Sequence, residues 1–245
     1  MPRFFIDKSQ IEEKSLFILG DDARHIARSL RMAVGDEITV SDGEGAEYLS
    51  RLTKIRDERC DAEILEKKIS TCEPKSKITL FMAYPKSDKL ETVIQKAVEL
   101  GASKIVPFES SRCIKKPKAD KAAERTARLS RIAEEASKQC GRASLPSVAS
   151  PISFSEMIKS AKESELTLFC YEGEGTVSLK AILEGYGEPP KSIAIIIGSE
   201  GGFSPEEAKS AEDAGFKMAN LGPRILRCET APDYCLSALS YKFEL

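Results

Sequence analysis

Several features that mark common classes of protein are missing from this sequence of 245 residues. It contains one histidine, His25, and its seven cysteines are scattered, with no Cys-x-x-Cys pair among them. These absences exclude a histidine-rich metal centre and argue against a zinc site and a disulfide framework. We therefore expect no metal, and reduced thiols such as those of a cytosolic protein.

The sequence also lacks long hydrophobic runs and a large net charge. No apolar run approaches the roughly 18–20 residues that a membrane span needs. The first ten residues contain neither the hydrophobic stretch nor the cleavage site of a secretory signal, so we expect a cytoplasmic protein without membrane contact. Because the formal net charge is −2, a nucleic-acid partner has to be sought in local basic patches.

Residues 1–72 have the composition and pattern of a small β-rich domain. Three segments alternate between apolar and polar residues and predict strands, at 37–40, 47–52 and 60–65. Residues 21–32 predict a helix, which would place three arginines on one face with a histidine beside them: Arg24, Arg28, Arg31 and His25. Such a row is typical of a solvated surface, but it also fits contact with nucleic-acid phosphates.

A polar segment around Pro74 separates this domain from residues 77–245, in which strands and helices alternate. This alternation is typical of an α/β domain with a mostly parallel sheet. Strands are predicted at 78–84, 104–108, 166–171, 192–197 and 217–221. Helices are predicted to begin near Asp88, Asp120 and Ser204. A basic loop before the second of these helices is a further candidate for phosphate contact, through Lys115, Lys116 and Lys118.

Three of the predicted strands are followed by unusual sequences, and ligands of open parallel sheets bind beyond the carboxyl ends of strands. These sequences are YEGEG at 171–175, GSEGGFS at 198–204 and LGPRILRCETA at 221–231. The glycines allow a backbone to approach a ligand closely, although tight turns need glycine too. The pattern matches neither G-x-G-x-x-G nor a P-loop, which disfavours a site for nucleotide phosphates.

The segment 221–231 mixes charged residues with apolar ones. We expect Ile225 and Leu226 to pack inside, beside Arg224, Arg227 and Glu229. The charges fit either a structural ion-pair corner or one wall of a binding site.

Taken together, these segments resemble the RsmE-type family of ribosomal RNA methyltransferases. IGSEGGFS at 197–204 and LGPRILRCETA at 221–231 are similar to the two C-terminal motifs of that family. QKAVELG at 95–101 and KQCGR at 138–142 are similar to two further motifs, and residues 23–43 look like its N-terminal PUA-like domain.

The resemblance implies a small PUA-like β-barrel domain at 1–72 and a SPOUT-type α/β domain at 77–245 with a C-terminal trefoil knot. It also implies S-adenosyl-L-methionine (SAM) as cofactor, a homodimer, and methylation of N3 of a specific uridine in small-subunit (16S) ribosomal RNA. The expected partner is that RNA or the assembled small ribosomal subunit.

Roles for individual residues follow from the resemblance. Methylation at N3 requires loss of a proton, and therefore a base or a cation that stabilises negative charge on the uracil. Arg142, the arginine of KQCGR, is expected to orient and polarise the uracil, Arg227 is the second choice, and Glu229 would anchor either arginine or accept the proton. The residues expected at the cofactor are Cys170, Tyr171, Glu172, Ile197, Gly198, Glu200, Gly201, Gly202, Leu221, Gly222, Ile225, Leu226, Arg227 and Thr230.

The sequence departs from the usual family pattern at two positions in these motifs. Ser199 stands where a proline is common, and Cys228 stands where a threonine is common. These departures bear on the identity of the target base and not on the cofactor. Two other functions remain open. One is a related SPOUT methyltransferase that acts on another RNA nucleotide, and the other is a non-catalytic RNA-binding protein of ribosome assembly.

Overall fold

The computed structural model describes residues 1–86, 89–114 and 121–245, which form two units. One unit contains Met1–Glu73 together with Ser137–Leu145, and the other contains Pro74–Ala136 and Pro146–Leu245. The segment Ser137–Leu145 is the end of a helix and the chain that follows it. Sequence periodicity gives no sign that this segment joins the first unit, because the apolar spacing of the helix continues through Ala136 to Cys140.

A five-stranded sheet forms the first unit. Its strands follow one another in the order β1 (Arg3–Phe5), β3 (Glu37–Ser41), β4 (Ala46–Lys54), β5 (Arg59–Ile69) and β2 (Ser15–Leu19). β1 and β3 are parallel, and the other neighbours are antiparallel. The three strands predicted in this part are confirmed, and the sequence analysis missed β1 and β2, which are short.

The helix predicted over residues 21–32 is wrong in its length and in its regularity. The helix α1 (Gly20–Arg24) passes into a π-helical turn, His25–Ser29, and the backbone of Arg31 is left-handed, with a φ of 50°. A π-helical turn is wider than an α-helical one, and a left-handed residue ends a helix. Arg31 therefore does not share a helical face with Arg24 and Arg28.

A parallel sheet forms the second unit. Its strands, among the described residues, are β6 (Lys77–Ala83), β7 (Lys104–Glu109), β8 (Ser147–Val148), β9 (Ile152–Ser153), β10 (Leu166–Cys170), β11 (Val177–Ser178), β12 (Ser192–Ile197) and β13 (Lys217–Asn220). Their order across the sheet is β11-β13-β10-β12-β6-β7-β8, and β9 also pairs with β7. The α/β prediction with a mostly parallel sheet is confirmed.

The central strand β12 lies between β10 and β6, and its residues Ile193 to Ile197 are all buried. This agrees with the prediction that an uninterrupted apolar run is covered on both faces. Because β13, β10 and β12 are consecutive in the sheet, their carboxyl ends lie side by side. The three unusual sequences follow these three strands, so the topology brings them to one edge.

Helices α2 to α6 lie between strands of the second unit in the chain, and α7 follows its last strand. They are α2 (Lys89–Glu99), α3 (Ala122–Cys140), α4 (Phe154–Ala161), α5 (Leu179–Glu184), α6 (Pro205–Asp213) and α7 (Thr230–Phe243). Asp88 and Asp120, the predicted starts of two helices, lie outside the described residues. The predicted start at Ser204 is confirmed, since Ser204 and Glu207 form a capping box. None of the described helices is long and apolar enough to span a membrane.

Candidate cofactor-binding site

A cavity of about 840 Å³ lies at the carboxyl ends of β10, β12 and β13. This volume is within the roughly 300–1,000 Å³ that small-molecule and cofactor sites occupy. The loops after the three strands form most of its wall, with additional side chains from α2 and from the loop after β7. The lining residues are Lys89, Arg112, Cys170, Tyr171, Glu172, Gly173, Ile197, Gly198, Ser199, Glu200, Gly201, Gly202, Phe203, Ala219, Asn220, Leu221, Gly222, Pro223, Arg224, Ile225, Leu226, Arg227, Cys228, Glu229 and Ala231.

Nearly all of the residues predicted to bind the cofactor line this cavity. Thr230, the first residue of α7, does not occur among the described residues that line it, although both of its chain neighbours do. Arg227 and Glu229, two of the three predicted catalytic residues, also line it. The structure therefore brings these residues together, and their roles in binding and catalysis stay predictions.

Two glycines of the loop 198–204, Gly198 and Gly201, are held where a side chain has little room. A Cβ atom on Gly201 would lie 3.1 Å from the Cβ atom and from the carbonyl oxygen of Arg112. The Arg112 guanidinium also donates to the Gly201 carbonyl oxygen over 3.2 Å. At Gly198, a Cβ atom would lie 3.2 Å from the backbone of Gly202. These close approaches leave backbone as the main surface of this wall.

The prediction that Ile225 packs inside is wrong. Its side chain is 82% exposed, and Leu226 is only partly buried, although both residues line the cavity. Ile225 lies in the loop after β13, at the end of a run of exposed residues from 222 to 225. The buried residues of this segment are instead Cys228 and Ala231, which lie at the end of the loop and in the first turn of α7.

One lysine contacts two of the acids in the cavity wall. The Nζ atom of Lys89 is 3.1 Å from Oε2 of Glu229 and 3.2 Å from Oε1 of Glu200. Both carboxylate oxygens of Glu200 also accept from the backbone N–H of Lys86, over 3.2 and 3.3 Å. The Cys228 thiol donates to Oε2 of Glu229 over 3.2 Å.

These contacts determine the charge state of the wall. Burial acts to raise the pKa of Glu200 and of Glu229, but backbone N–H groups and the Lys89 ammonium outweigh it and hold both pKa values below the ordinary value. Burial, together with the neighbouring carboxylates, raises the pKa of Cys228 to about 12. At neutral pH the group formed by Glu200, Glu229, Lys89 and Cys228 therefore carries two carboxylates, one ammonium and a protonated thiol.

Lys89 and Arg112 line the cavity, although their sequence context predicts neither. Lys89 is the first described residue of α2, the helix after β6, and Arg112 lies in the loop after β7. Neither belongs to a glycine-rich segment. The signal that would have found Lys89 is the pairing of β6 with β12, which the sequence does not reveal.

Comparison with known proteins adds an independent observation. A family model described as an RNA methyltransferase domain matches residues 72–240, and one described as an RNA methyltransferase PUA domain matches residues 18–65. The chain belongs to this RNA methyltransferase family. Among its relatives is the ribosomal RNA small subunit methyltransferase E of Bacillus subtilis, which is 34% identical over 100% of this chain and 98% of the relative.

Solved structures of the family have the same fold. The ribosomal RNA small subunit methyltransferase E of Neisseria gonorrhoeae, solved with bound S-adenosyl methionine, is 31% identical. The alignment covers 99% of this chain and 98% of that one, with a TM-score of 0.86. A methyltransferase of Legionella pneumophila with bound SAM is 29% identical over 98% of this chain and 96% of its own, with a TM-score of 0.85.

Arg142, the remaining predicted catalytic residue of this methyltransferase, belongs to the first unit. It is 4% exposed, and its Nη2 and Nε atoms donate to Oε2 of Glu73 over 2.7 and 3.1 Å. The other oxygen of Glu73 accepts from the backbone N–H groups of Ala143 and Ser144. Arg142 is not among the described residues that line the cavity, and its role in orienting the uracil stays a prediction.

The basic residues predicted to contact RNA differ in their surroundings. Arg24 donates to Asp21 and, over 2.9 Å, to Glu58, and Arg28 is paired with Asp57. His25 and Arg31 are exposed. The three lysines of the basic loop, Lys115, Lys116 and Lys118, lie outside the described residues. Among the residues that the structure describes, no group of histidine, cysteine and acidic side chains could hold a metal ion.

Proposed function

We propose that this chain is a SAM-dependent methyltransferase that modifies N3 of a specific uridine in small-subunit (16S) ribosomal RNA. The observation that carries the proposal is the full-length match to proteins named ribosomal RNA small subunit methyltransferase E, one of them solved with SAM. The cavity supports it independently, because it lies where an open parallel sheet binds its ligand.

The residues of the cavity fit SAM. In the wall segment 198–202, Gly198 and Gly201 leave little room for a side chain, so backbone forms part of the surface there, which suits the adenosine and amino-acid parts of the cofactor. Glu200 and Glu229, held ionised, favour a ligand that carries a sulfonium cation. When bound, SAM supplies an activated methyl group.

The chain's own residues then have to manage the proton on uridine N3. Glu229 is ionised at neutral pH and lines the cavity, which supports its assignment as the proton acceptor. Arg227 lines the same cavity and can stabilise negative charge on the uracil ring. We assign the orienting of the uracil to Arg142, on the basis of its motif.

The two parts of the chain have different roles in this proposal. Residues 1–72 form a PUA-like domain that binds RNA through Arg24, His25, Arg28 and Arg31, and the match of a PUA family model to residues 18–65 supports this. Residues 77–245 form the methyltransferase domain, whose basic loop, with Lys115, Lys116 and Lys118, adds phosphate contacts. The substrate is the ribosomal RNA or the assembled small subunit.

Three further properties are proposed from the family resemblance. The C-terminal part, from β12 through α7, forms a SPOUT-type trefoil knot, which the matching order of the two C-terminal motifs supports. The enzyme is a homodimer, and it acts in the cytoplasm, where ribosomal RNA is found.

Two measurements test the function. Isothermal titration calorimetry with SAM should show binding, and its absence would favour the non-catalytic assembly protein instead. Nucleoside mass spectrometry of ribosomal RNA from a strain that lacks this protein should show loss of 3-methyluridine. Persistence of that nucleoside would point to a methyltransferase that acts on another RNA.

A further inference from the structure

Lys89 contacts acids from two different loops of the cavity. Glu200 lies in the loop after β12, and Glu229 lies at the end of the loop after β13. We propose that Lys89 is a positioning residue that ties these two loops together and so keeps the cavity in the form that binds its ligand. The inference deepens the proposed function and rests on it only where SAM is named as the ligand.

The sheet itself does not join the two loops. β12 and β13 are separated by β10, so no strand pairing connects the segments that follow them. The side chain of Lys89 supplies a connection, since one ammonium group has three donors and contacts both carboxylates. Lys89 belongs to α2, whose next turn is anchored by the buried side chains of Leu90 and Val93. The lysine therefore links both loops to a rigid element.

Loss of Lys89 would leave two carboxylates in one wall without their shared counter-ion. Like charges in a partly desolvated site repel, and the repulsion raises the pKa of a carboxyl group. The other titratable groups around the two acids are the thiol of Cys228 and the charged residues that line the same cavity, Arg112, Glu172, Arg224 and Arg227. Of these groups, Cys228 already donates to Glu229 and stays protonated, so it does not replace the lysine.

The same helix offers a matched control. Lys96 lies seven residues after Lys89, on the same face of α2, and its Nζ atom is 3.1 Å from Oδ2 of Asp233 in α7. This pair has the length of the Lys89–Glu229 pair, but Lys96 is not among the described residues that line the cavity. Lys96→Met therefore removes a comparable ion pair between α2 and α7 and leaves the two loops connected.

The first experiment needs no ligand. In hydrogen-exchange mass spectrometry of the full chain, Lys89→Met should increase exchange in both 198–204 and 221–231, and Lys96→Met should not. The reporting amides include Gly202, which donates to Ser199, and Thr230 and Ala231, which both donate to Arg227. Unchanged exchange in both loops of the Lys89→Met protein would overturn the proposal, as would an equal increase in the Lys96→Met protein.

The second experiment measures the dissociation constant for SAM as a function of pH. If only about a tenth of the Lys89→Met molecules keep the two loops in the arrangement that binds the ligand, the affinity for SAM at neutral pH should fall about tenfold. Lys89 holds the pKa values of Glu200 and Glu229 down, so their pKa values rise in Lys89→Met. Binding that requires the ionised acids is lost as pH falls through those pKa values, and the acid limb should therefore move to higher pH. Lys89→Arg, which keeps the charge, should restore both properties.

The outcomes separate this inference from the proposed function. If the unaltered protein binds no SAM, the proposed cofactor is wrong, and hydrogen exchange alone decides whether Lys89 ties the loops. If the unaltered protein binds SAM and Lys89→Met binds it equally well with the same pH dependence, the proposed function stands and the role of Lys89 is refuted.

Discussion

Arg24 and Lys89 are each a single cation shared by two carboxylates, in two different regions of the molecule. The side chains of Asp21 and Glu58, the partners of Arg24, are 95% and 74% exposed. Those of Glu200 and Glu229, the partners of Lys89, are 27% and 25% exposed. Water screens the first arrangement, and exposed pairs of that kind contribute little to stability. The second is screened less, because the cavity wall excludes part of the water.

The same arrangement of one cation and two carboxylates therefore differs in its structural effect between the two regions. On the surface of the first unit, the pairing of Arg24 with Asp21 and Glu58 reduces the local positive charge. In the cavity wall, Lys89 contacts Glu200 and Glu229, which belong to two loops that no strand pairing joins. The two cases differ in the burial of the carboxylates and not in the number of ion pairs. A pair with a more deeply buried member should therefore contribute more to stability than either.

Arg142→Ala should have the largest effect on stability. Arg142 is 4% exposed and donates twice to Glu73, so its removal leaves a partly buried carboxylate without its cation. We expect a loss of about 2–3 kcal/mol in the free energy of unfolding, measured by urea denaturation. This lies at or below the lower end of the range of about 3–5 kcal/mol for broken buried pairs, because Glu73 is only partly buried and two backbone N–H groups still contact it. Arg131→Ala, which removes an exposed arginine of α3, is the control and should match the unaltered protein.

The same variant tests the proposed role of Arg142 in the reaction. Turnover on ribosomal RNA should fall far more than affinity for SAM, since the arginine is assigned to the uracil rather than to the cofactor. Equal losses in both would instead indicate that Arg142 supports the cofactor site.

Glu47 should produce a smaller effect, visible in the pH dependence of stability. Burial acts to raise the pKa of Glu47, but contacts with Arg3 and Lys68 outweigh it, and the pKa lies below the ordinary value. A carboxyl group with a lowered pKa contributes stability above its unfolded-state pKa, and that contribution is lost as pH falls through the folded-state pKa. The free energy of unfolding should therefore drop between about pH 5 and pH 3.

Glu47→Gln should abolish much of this acid dependence and cost about 2 kcal/mol at neutral pH, because Arg3, whose side chain is only 17% exposed, loses its charged partner. Lys68, which is 60% exposed, should add little to this loss. Glu44→Gln is the control, since Glu44 is an exposed acid that pairs with Lys8. A Glu47→Gln protein that keeps the full acid dependence would show that other carboxyl groups cause it.

How far the sequence predicts this molecule depends on the range of the interactions involved. The buried strand β12 and the capped start of α6 follow from residues close together in the chain, and both predictions are confirmed. Most of the residues predicted at the cofactor line one cavity, because they follow the ends of strands, and the order of β13, β10 and β12 in the parallel sheet brings those ends together. Local pattern and sheet topology were sufficient for these features.

Other features depend on contacts that no local pattern contains. Lys89 and Glu229 are 140 residues apart, and Arg142 and Glu73 are 69 residues apart. Ile225 is exposed with the loop residues before it, and hydrophobicity alone predicted the opposite. The π-helical turn before Arg31 likewise has no sequence signal in the arginine spacing.

Arg28→Glu should have the smallest effect on stability and the most informative one on binding. Arg28 is exposed and paired with Asp57, so reversing its charge should leave the unfolding midpoint unchanged within error. If Arg28 contacts a phosphate, affinity for a small-subunit ribosomal RNA fragment should fall, and the salt dependence of binding should lose about one unit of slope. Arg51→Glu is the matched control, because Arg51 is likewise exposed and paired, with Glu37 over 3.0 Å, but lies outside the predicted basic row. An unchanged salt dependence in Arg28→Glu would show that the basic row is a solvated surface. Equal changes in Arg28→Glu and Arg51→Glu would show that the overall charge of the protein, and not a contact of Arg28, causes the effect.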